Sequence, residues 1–238
     1  MTPTISRRYH AHGGNYTPGG NSCRYIVVHN TGNSAGAQAE ASYANNSQHP
    51  SSYHYVLDGT GTIYQILDDT DTAWAVGAWA GARQLIGNPE SISIEVCSNG
   101  TEFTGAEIEE LRWLVHLLME RHGIDASHVV RHYDCHTGHK ACPAWYTDAG
   151  RWAALHETIT TEEPDIEELM MDDFIYQVKG GNSQKWFDGS RIHPLATAHE
   201  SESIRECYKY VMQKDMPLRV LSEKQAASFE AAVKRVLK

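Results

Sequence analysis

The chain has 238 residues, 41% hydrophobic and 21% charged, which is enough for an ordinary buried core and too little charge for wholesale disorder. Its net charge of −10 argues against DNA or RNA as the main partner, because phosphate binding needs a basic face. No apolar run approaches the roughly 18–20 residues that span a bilayer, and MTPTISRRYHAHGGNY lacks a signal peptide's apolar middle, so cytoplasmic synthesis without membrane insertion is expected.

In chain order, RYIVVHN (24–30) is β-branched and reads as a buried strand. SAGAQAEASYANNS (34–47) reads as a helix with Ser34 as its cap. SYHYVLDGTGTIYQIL (52–67) reads as a hairpin turning at Asp58–Gly61, and SISIEVCSNG (91–100) as a strand ending in an Asn-Gly turn. TGAEIEELRWLVHLLMERHG (104–123) carries the clearest helix signal. Thr104 and Glu107 form a capping box, Ile108, Leu111, Val115 and Leu118 one apolar face, and Gly123 the stop. HVVRH (128–132) is strand-like. The loose alternation predicts an α/β domain, a mixed central β-sheet flanked by helices.

From Glu157 to Asp173 there are 8 acidic residues and no basic one, with Pro164 in the middle. This predicts a domain over 1–157, an acidic linker over 158–173 and a module over 174–238. In the module FIYQV, KWFDGS and RIHPL read as strands, and two amphipathic helices follow, making a small α+β unit. It carries 11 basic and 7 acidic residues, and Trp186 and Phe187 beside basic neighbours suggest stacking on sugar rings.

RHYDCHTGHKACP (131–143) packs three histidines and two cysteines into thirteen positions. The five cysteines (Cys23, Cys97, Cys135, Cys142, Cys207) are odd in number and irregularly spaced, which suits free thiols or a metal ligand better than a disulfide frame. His29 and His132 each close a strand; side by side, those strands would bring the imidazoles to one sheet edge. Cys142 as the third ligand would suit zinc and leave a fourth position open, as in catalytic sites. The residues alone leave Cys135, His136 and His139 as competing ligands. His10 and His12 read as surface residues, His116 and His122 as packing or solvent-exposed residues of the long helix, and His54 as structural.

Taken together, VVHNTG, SYHYVLDGTGTIYQ, SISIEVCSNG, VVRHYD and KACP resemble, in order, the zinc-dependent N-acetylmuramoyl-L-alanine amidases, a family that includes amidase-type bacteriophage lysozymes and peptidoglycan recognition proteins. The resemblance covers roughly residues 20–157. It implies one zinc ion held by His29, His132 and Cys142, with Lys140, Tyr53 and Glu95 as catalytic residues, and either Tyr53 or Glu95 transferring the proton. Two departures stand out. The loop between His132 and Cys142 is about two residues longer than in many relatives and carries His136 and His139, which are surface or groove residues on this reading. Ala75 follows Trp74 where the family often has a histidine, which bears on how Trp74 grips the stem peptide. The implied partner is peptidoglycan and the implied role a phage or prophage endolysin that reaches the wall after release. A non-catalytic peptidoglycan receptor and a cytosolic wall-recycling amidase are the alternatives; Cys142 and Lys140 argue against the first, the extra module against the second.

Overall fold

Tyr25–Asn30, the β-branched run of the sequence, is a strand with its four central residues buried, and it lies second from one edge of a six-stranded sheet. A computed structural model describes residues 2–46, 48–77, 81–161 and 173–236, and the chain divides into two compact units, Met1–Thr161 and Glu162–Lys238.

In the first unit the elements are β1 (Thr4–Ser6), β2 (Tyr16–Gly20), β3 (Tyr25–Asn30), α1 (Ala37–Asn46), β4 (Tyr55–Leu57), β5 (Thr62–Gln65), β6 (Asp71–Ala73), β7 (Ser91–Val96), α2 (Gly105–His122), β8 (Val129–Arg131) and α3 (Ala149–Thr160). The sheet order is β1-β5-β4-β7-β3-β8, and β2 pairs with β6 in a separate ribbon. β4 and β5 are antiparallel; every other neighbouring pair of the large sheet is parallel. The expected mixed sheet flanked by helices is therefore present.

Side chains alternate faces along a strand, and two cores follow. Ile26, Val28, Ile92, Ile94 and Val96 pack on Leu111, Leu114, Val115 and Leu118 of α2 and on Leu155 and Ile159 of α3. Each fully buried Leu or Ile contributes about 1.5–3 kcal/mol of apolar burial. On the opposite face, Ala37, Ala41 and Ala44 of α1 pack with Val56, Ile66 and Leu67, while Val27 joins Val76, Ile86 and Cys135.

The capping box of α2 forms as expected: the Glu107 N–H donates to Thr104 Oγ1, and Gly123 ends the helix at φ +65°. Helix α1 begins at Ala37 rather than at Ser34. Its first N–H donates to Asp58 Oδ2 at 2.9 Å, so the cap comes from the β4–β5 turn and not from a neighbour in sequence. Helix α3 continues to Thr160 and takes the first three residues expected of the linker; 162–172 lie outside the described residues.

The second unit has β9 (Phe174–Val178), β10 (Gln184–Phe187), β11 (Ile192–Pro194), α4 (Ala198–Met212), β12 (Leu218–Leu221) and α5 (Glu223–Val236). β9, β10 and β11 form an antiparallel meander, and β12 runs parallel to β9. Phe174, Tyr176 and Phe187 face Phe229 of α5, whereas Ile175 and Trp186 face Tyr208 and Ile204 of α4. Phe187 is fully buried, 5.1 Å ring to ring from Phe229, so it is a core residue and not a sugar-stacking one. Strand alternation puts it on the inner face, a consequence that its position beside Trp186 concealed.

A polar knot ties α2 to the sheet. Asp69 accepts from Tyr55 Oη (2.5 Å), Arg121 Nη1 (2.9 Å) and Gln65 Nε2 (3.2 Å), and its Oδ2 lies 2.8 Å from His122 Nε2. Burial alone would raise its carboxyl, but the hydrogen bonds from Tyr55, His122 and Arg121 outweigh burial and hold it below the ordinary value. Asp69→Asn is expected to cost about 1–3 kcal/mol at pH 7. Because the folded-state pKa is the lower one, this contribution is full above the unfolded-chain pKa of about 3.9 and is lost as pH falls below it. Urea unfolding of both proteins at pH 7 and pH 3 checks this: the gap between them should narrow in acid.

Candidate metal centre and active site

The sheet delivers its chemistry at the carboxyl ends of parallel strands, where open α/β sheets bind ligands. β3 pairs with β8 with Val28 opposite Arg131, so His29 and His132 are the next residues along the same edge. β3 pairs with β7 with His29 opposite Glu95. Alternation turns His29 and Glu95 away from α2, onto the face of Val27.

The third member is carried by a loop. Tyr133 N–H donates to Cys142 O at 2.8 Å, closing the turn from His132 to Cys142. Asn30, at the end of β3, accepts from Ala144 N–H at 2.6 Å through Oδ1 and pins the chain just past Cys142–Pro143, which is a cis bond. Arg131 holds the far side: Nη1 donates to Tyr146 O and Thr147 O, and Nε to Asp134 at 2.9 Å. Asn30 and Arg131 escaped the sequence reading. Neither type signals a site by itself, and only the RHYD and VVHN contexts could have pointed to them.

His29, His132 and Cys142 are all buried, and one ligand atom from each lies within 4.8 Å of the others. Cys142 Sγ is 3.7 Å from His29 Nδ1, and the two imidazole rings are 4.6 Å apart. Tetrahedral zinc, with bonds of about 2.0–2.3 Å, sets its ligand atoms on the order of 3.5 Å apart. His29 Nε2 and both ring nitrogens of His132 are buried with no hydrogen-bond partner among the described residues. Buried polar atoms are rarely left so, and a cation would satisfy them. Burial, the other histidine and Lys140 push His29 well below its ordinary value; burial, Lys140 and His136 push His132 down to about 3. Both are therefore neutral at pH 7, as ligands must be. Burial and Glu95 push the Cys142 thiol up to about 12, a shift that a cation at the site would reverse.

Glu95 and Lys140 flank this triangle. Glu95 Oε1 is 4.0 Å from His29 Nδ1, and Oε2 is buried without a partner among the described residues. Burial raises its carboxyl to about 7, against the lowering effect of Lys140. Lys140 is exposed, yet its charge acts on His29, His132, Glu95 and Cys142 alike. The Tyr53 hydroxyl is buried and also without a partner among the described residues; burial, Glu40 and Glu95 raise it above the ordinary phenol range.

The remaining expected residues sit differently. Cys135 is fully buried in the Val27 cluster, which removes it as a competing ligand. His136 is fully buried with its ring against His132, so it is neither a surface nor a groove residue. His139 is exposed at φ +49° and stacks on Tyr133 at 4.6 Å. Trp74 is half-buried, with described contacts to Thr17 and Ser52 and none to the triangle. His54 is structural: Nδ1 accepts from Ser93 N–H at 3.0 Å, so Nε2 carries the proton and donates to Asp71 O at 3.1 Å.

Fold and donor set define a class, an α/β unit with two imidazoles and a thiol converging at the carboxyl ends of parallel strands. The chain belongs to the N-acetylmuramoyl-L-alanine amidase family, whose model matches residues 19–145. It is similar to the Bacillus subtilis N-acetylmuramoyl-L-alanine amidases CwlA (33% identical, covering 58% of this chain and 49% of CwlA) and XlyA (36%, covering 50% of this chain and 39% of XlyA). It thus spans half or less of the length of these two relatives. Among solved structures, the catalytic domain of XlyA matches with a TM-score of 0.55 at 32% identity, covering 66% of this chain and 99% of that one. PlyL matches with a TM-score of 0.57 at 27% identity, covering 68% of this chain and 99% of that one.

Cys142→Ala is expected to leave the circular dichroism spectrum unchanged and to abolish zinc retention after gel filtration. Elemental analysis of both proteins checks it.

Proposed function

We propose that the first unit is a zinc-dependent amidase that cleaves the bond between the lactyl group of N-acetylmuramic acid and L-alanine in bacterial peptidoglycan. The chain would act as a phage or prophage endolysin, made in the host cytoplasm and reaching the wall after release. The observation that carries the metal reading is the triangle itself, two buried imidazoles and a thiol in which His29 Nε2 and both His132 ring nitrogens have no hydrogen-bond partner among the described residues. Mixed nitrogen and sulfur donors favour zinc among the biological divalent ions. Three protein ligands leave a coordination position for chemistry.

Bound zinc would supply Lewis acidity, lowering the pKa of water from about 15.7 to about 7 and polarising the scissile carbonyl. The chain's own groups do the rest. Glu95 is the proton-transfer residue on this reading. Its carboxyl, near 7 and beside His29, takes a proton from the attacking water and returns it to the departing alanine nitrogen. A phenol raised by burial is a poor base, so Tyr53 instead donates a hydrogen bond on the same dry face. The Lys140 ammonium, close enough to bias all four groups, faces the oxyanion of the tetrahedral intermediate.

The second unit is proposed as a wall-binding module. Its net positive charge from Phe174 onward suits an anionic wall polymer. With Phe187 in one core and Trp186 packed on Ile204 and Tyr208 of α4, charge rather than the expected aromatic pair carries this reading.

Lys140→Ala should keep zinc and lose about 10²–10³ in kcat, the usual effect of removing one oxyanion donor. Glu95→Gln should keep zinc and lose about 10²–10⁴. Amine release from purified peptidoglycan, with zinc content measured in parallel, checks both; full activity in either variant removes that residue from the mechanism. Removing residues 162–238 should weaken sedimentation with intact walls, and undiminished binding would end the wall-module reading.

A further inference from the structure

We propose that His136 is a positioning residue for the ligand His132, held against it by a clamp between residues 83–86 and 135–137. The inference rests on the zinc reading above.

The orientation of His132 needs an explanation. A ligating histidine ordinarily donates its second ring nitrogen to a carbonyl or carboxylate, which fixes tautomer and ring angle. No described residue hydrogen-bonds either ring nitrogen of His132. Rotation about the bond to an imidazole ring is intrinsically soft, so packing must set the angle. Two rings do so. His29, itself a ligand, lies 4.6 Å away at 61°, and His136 lies 5.6 Å away at 87°, an edge-to-face contact.

His136 can serve as a wall because its backbone is fastened. Cys135 O accepts from the N–H groups of Leu85 (2.9 Å) and Ile86 (3.1 Å) and from Gln84 Nε2 (3.2 Å). Gln84 and His136 form an antiparallel bridge. Thr137 N–H donates to Arg83 O at 3.0 Å, and Arg83 N–H returns to Thr137 Oγ1 at 2.9 Å. Gln84 Nε2 also donates to Val76 O at 2.7 Å, and Cys135 is locked among Val27, Val76 and Ile86. The His132–Cys142 loop is thus not a loose flap: its first part is zipped to a neighbouring segment, and the zipper presents His136 to the metal ligand.

The test is zinc affinity by chelator competition, together with the visible spectrum of the Co2+-substituted protein, for wild type, His136→Ala, His136→Phe and Gln84→Ala. His136→Ala should weaken zinc about 10–100-fold with an altered Co2+ spectrum. His136→Phe, which keeps a ring edge against His132, should restore most of the affinity. Gln84→Ala, which loosens the clamp without touching either ring, should weaken zinc in the same direction and supplies the test if His136→Ala fails to fold. Wild-type affinity in folded His136→Ala overturns the positioning role, as does a Phe variant no better than Ala. Should His136→Ala not fold, wild-type affinity in Gln84→Ala overturns it. Wild-type protein that takes up neither Zn2+ nor Co2+ overturns the metal reading beneath it, a result distinct from the others.

Discussion

Slipping one strand of a sheet by a single residue turns all its side chains to the other face. The pairings of Val28 with Arg131 and of His29 with Glu95 therefore decide whether this protein has a site at all. A slip of β3 would send His29 into the Leu111–Leu118 side of the sheet and bring Val28 to the metal position. Burial on both faces protects the register: Ile26 and Val28 are committed to the α2 core, Val27 to the Val76–Ile86 cluster. The hydrophobic packing that stabilises the first unit is also what aims its ligands.

Register alone supplies two imidazoles. The thiol, the ammonium and the wall behind His132 all come from one loop, residues 132–142, and irregular backbone needs partners to hold a shape. Here they are specific: Asn30 on Ala144, Tyr133 on Cys142, Arg131 on Tyr146 and Thr147, and the clamp on Cys135 and Thr137. The same burial that orders the loop tunes its chemistry. It keeps both histidines neutral and brings the Glu95 carboxyl near 7, while Lys140 stays in solvent at the rim.

Much of this was legible in the residues. Short β-branched runs closing on histidine, a capped amphipathic helix and a Lys-x-Cys-Pro end to the loop are local patterns, and local patterns survive folding. The start of α1 was not legible, because its cap is Asp58, twenty-one positions away. His136 was misread for the same reason: in sequence it sits in a polar loop, and only pairing with Gln84 buries it. Phe187 beside Trp186 looked like a sugar platform, until the β10 pleat sent the two rings to opposite faces. The first two misses are long-range contacts with no local signature; the third follows from the alternation of neighbours along a strand.

The central claim is that the triangle of His29, His132 and Cys142 holds the zinc that cleaves the muramoyl–alanine amide. Digesting purified peptidoglycan with the protein, with and without a chelator, and reading the products by mass spectrometry tests it most directly. The account predicts stem peptides with a free L-alanine amine, absent under the chelator and restored by zinc. Cleavage at a sugar–sugar or peptide–peptide bond, or release of alanine-terminated peptides undiminished by the chelator, would contradict it.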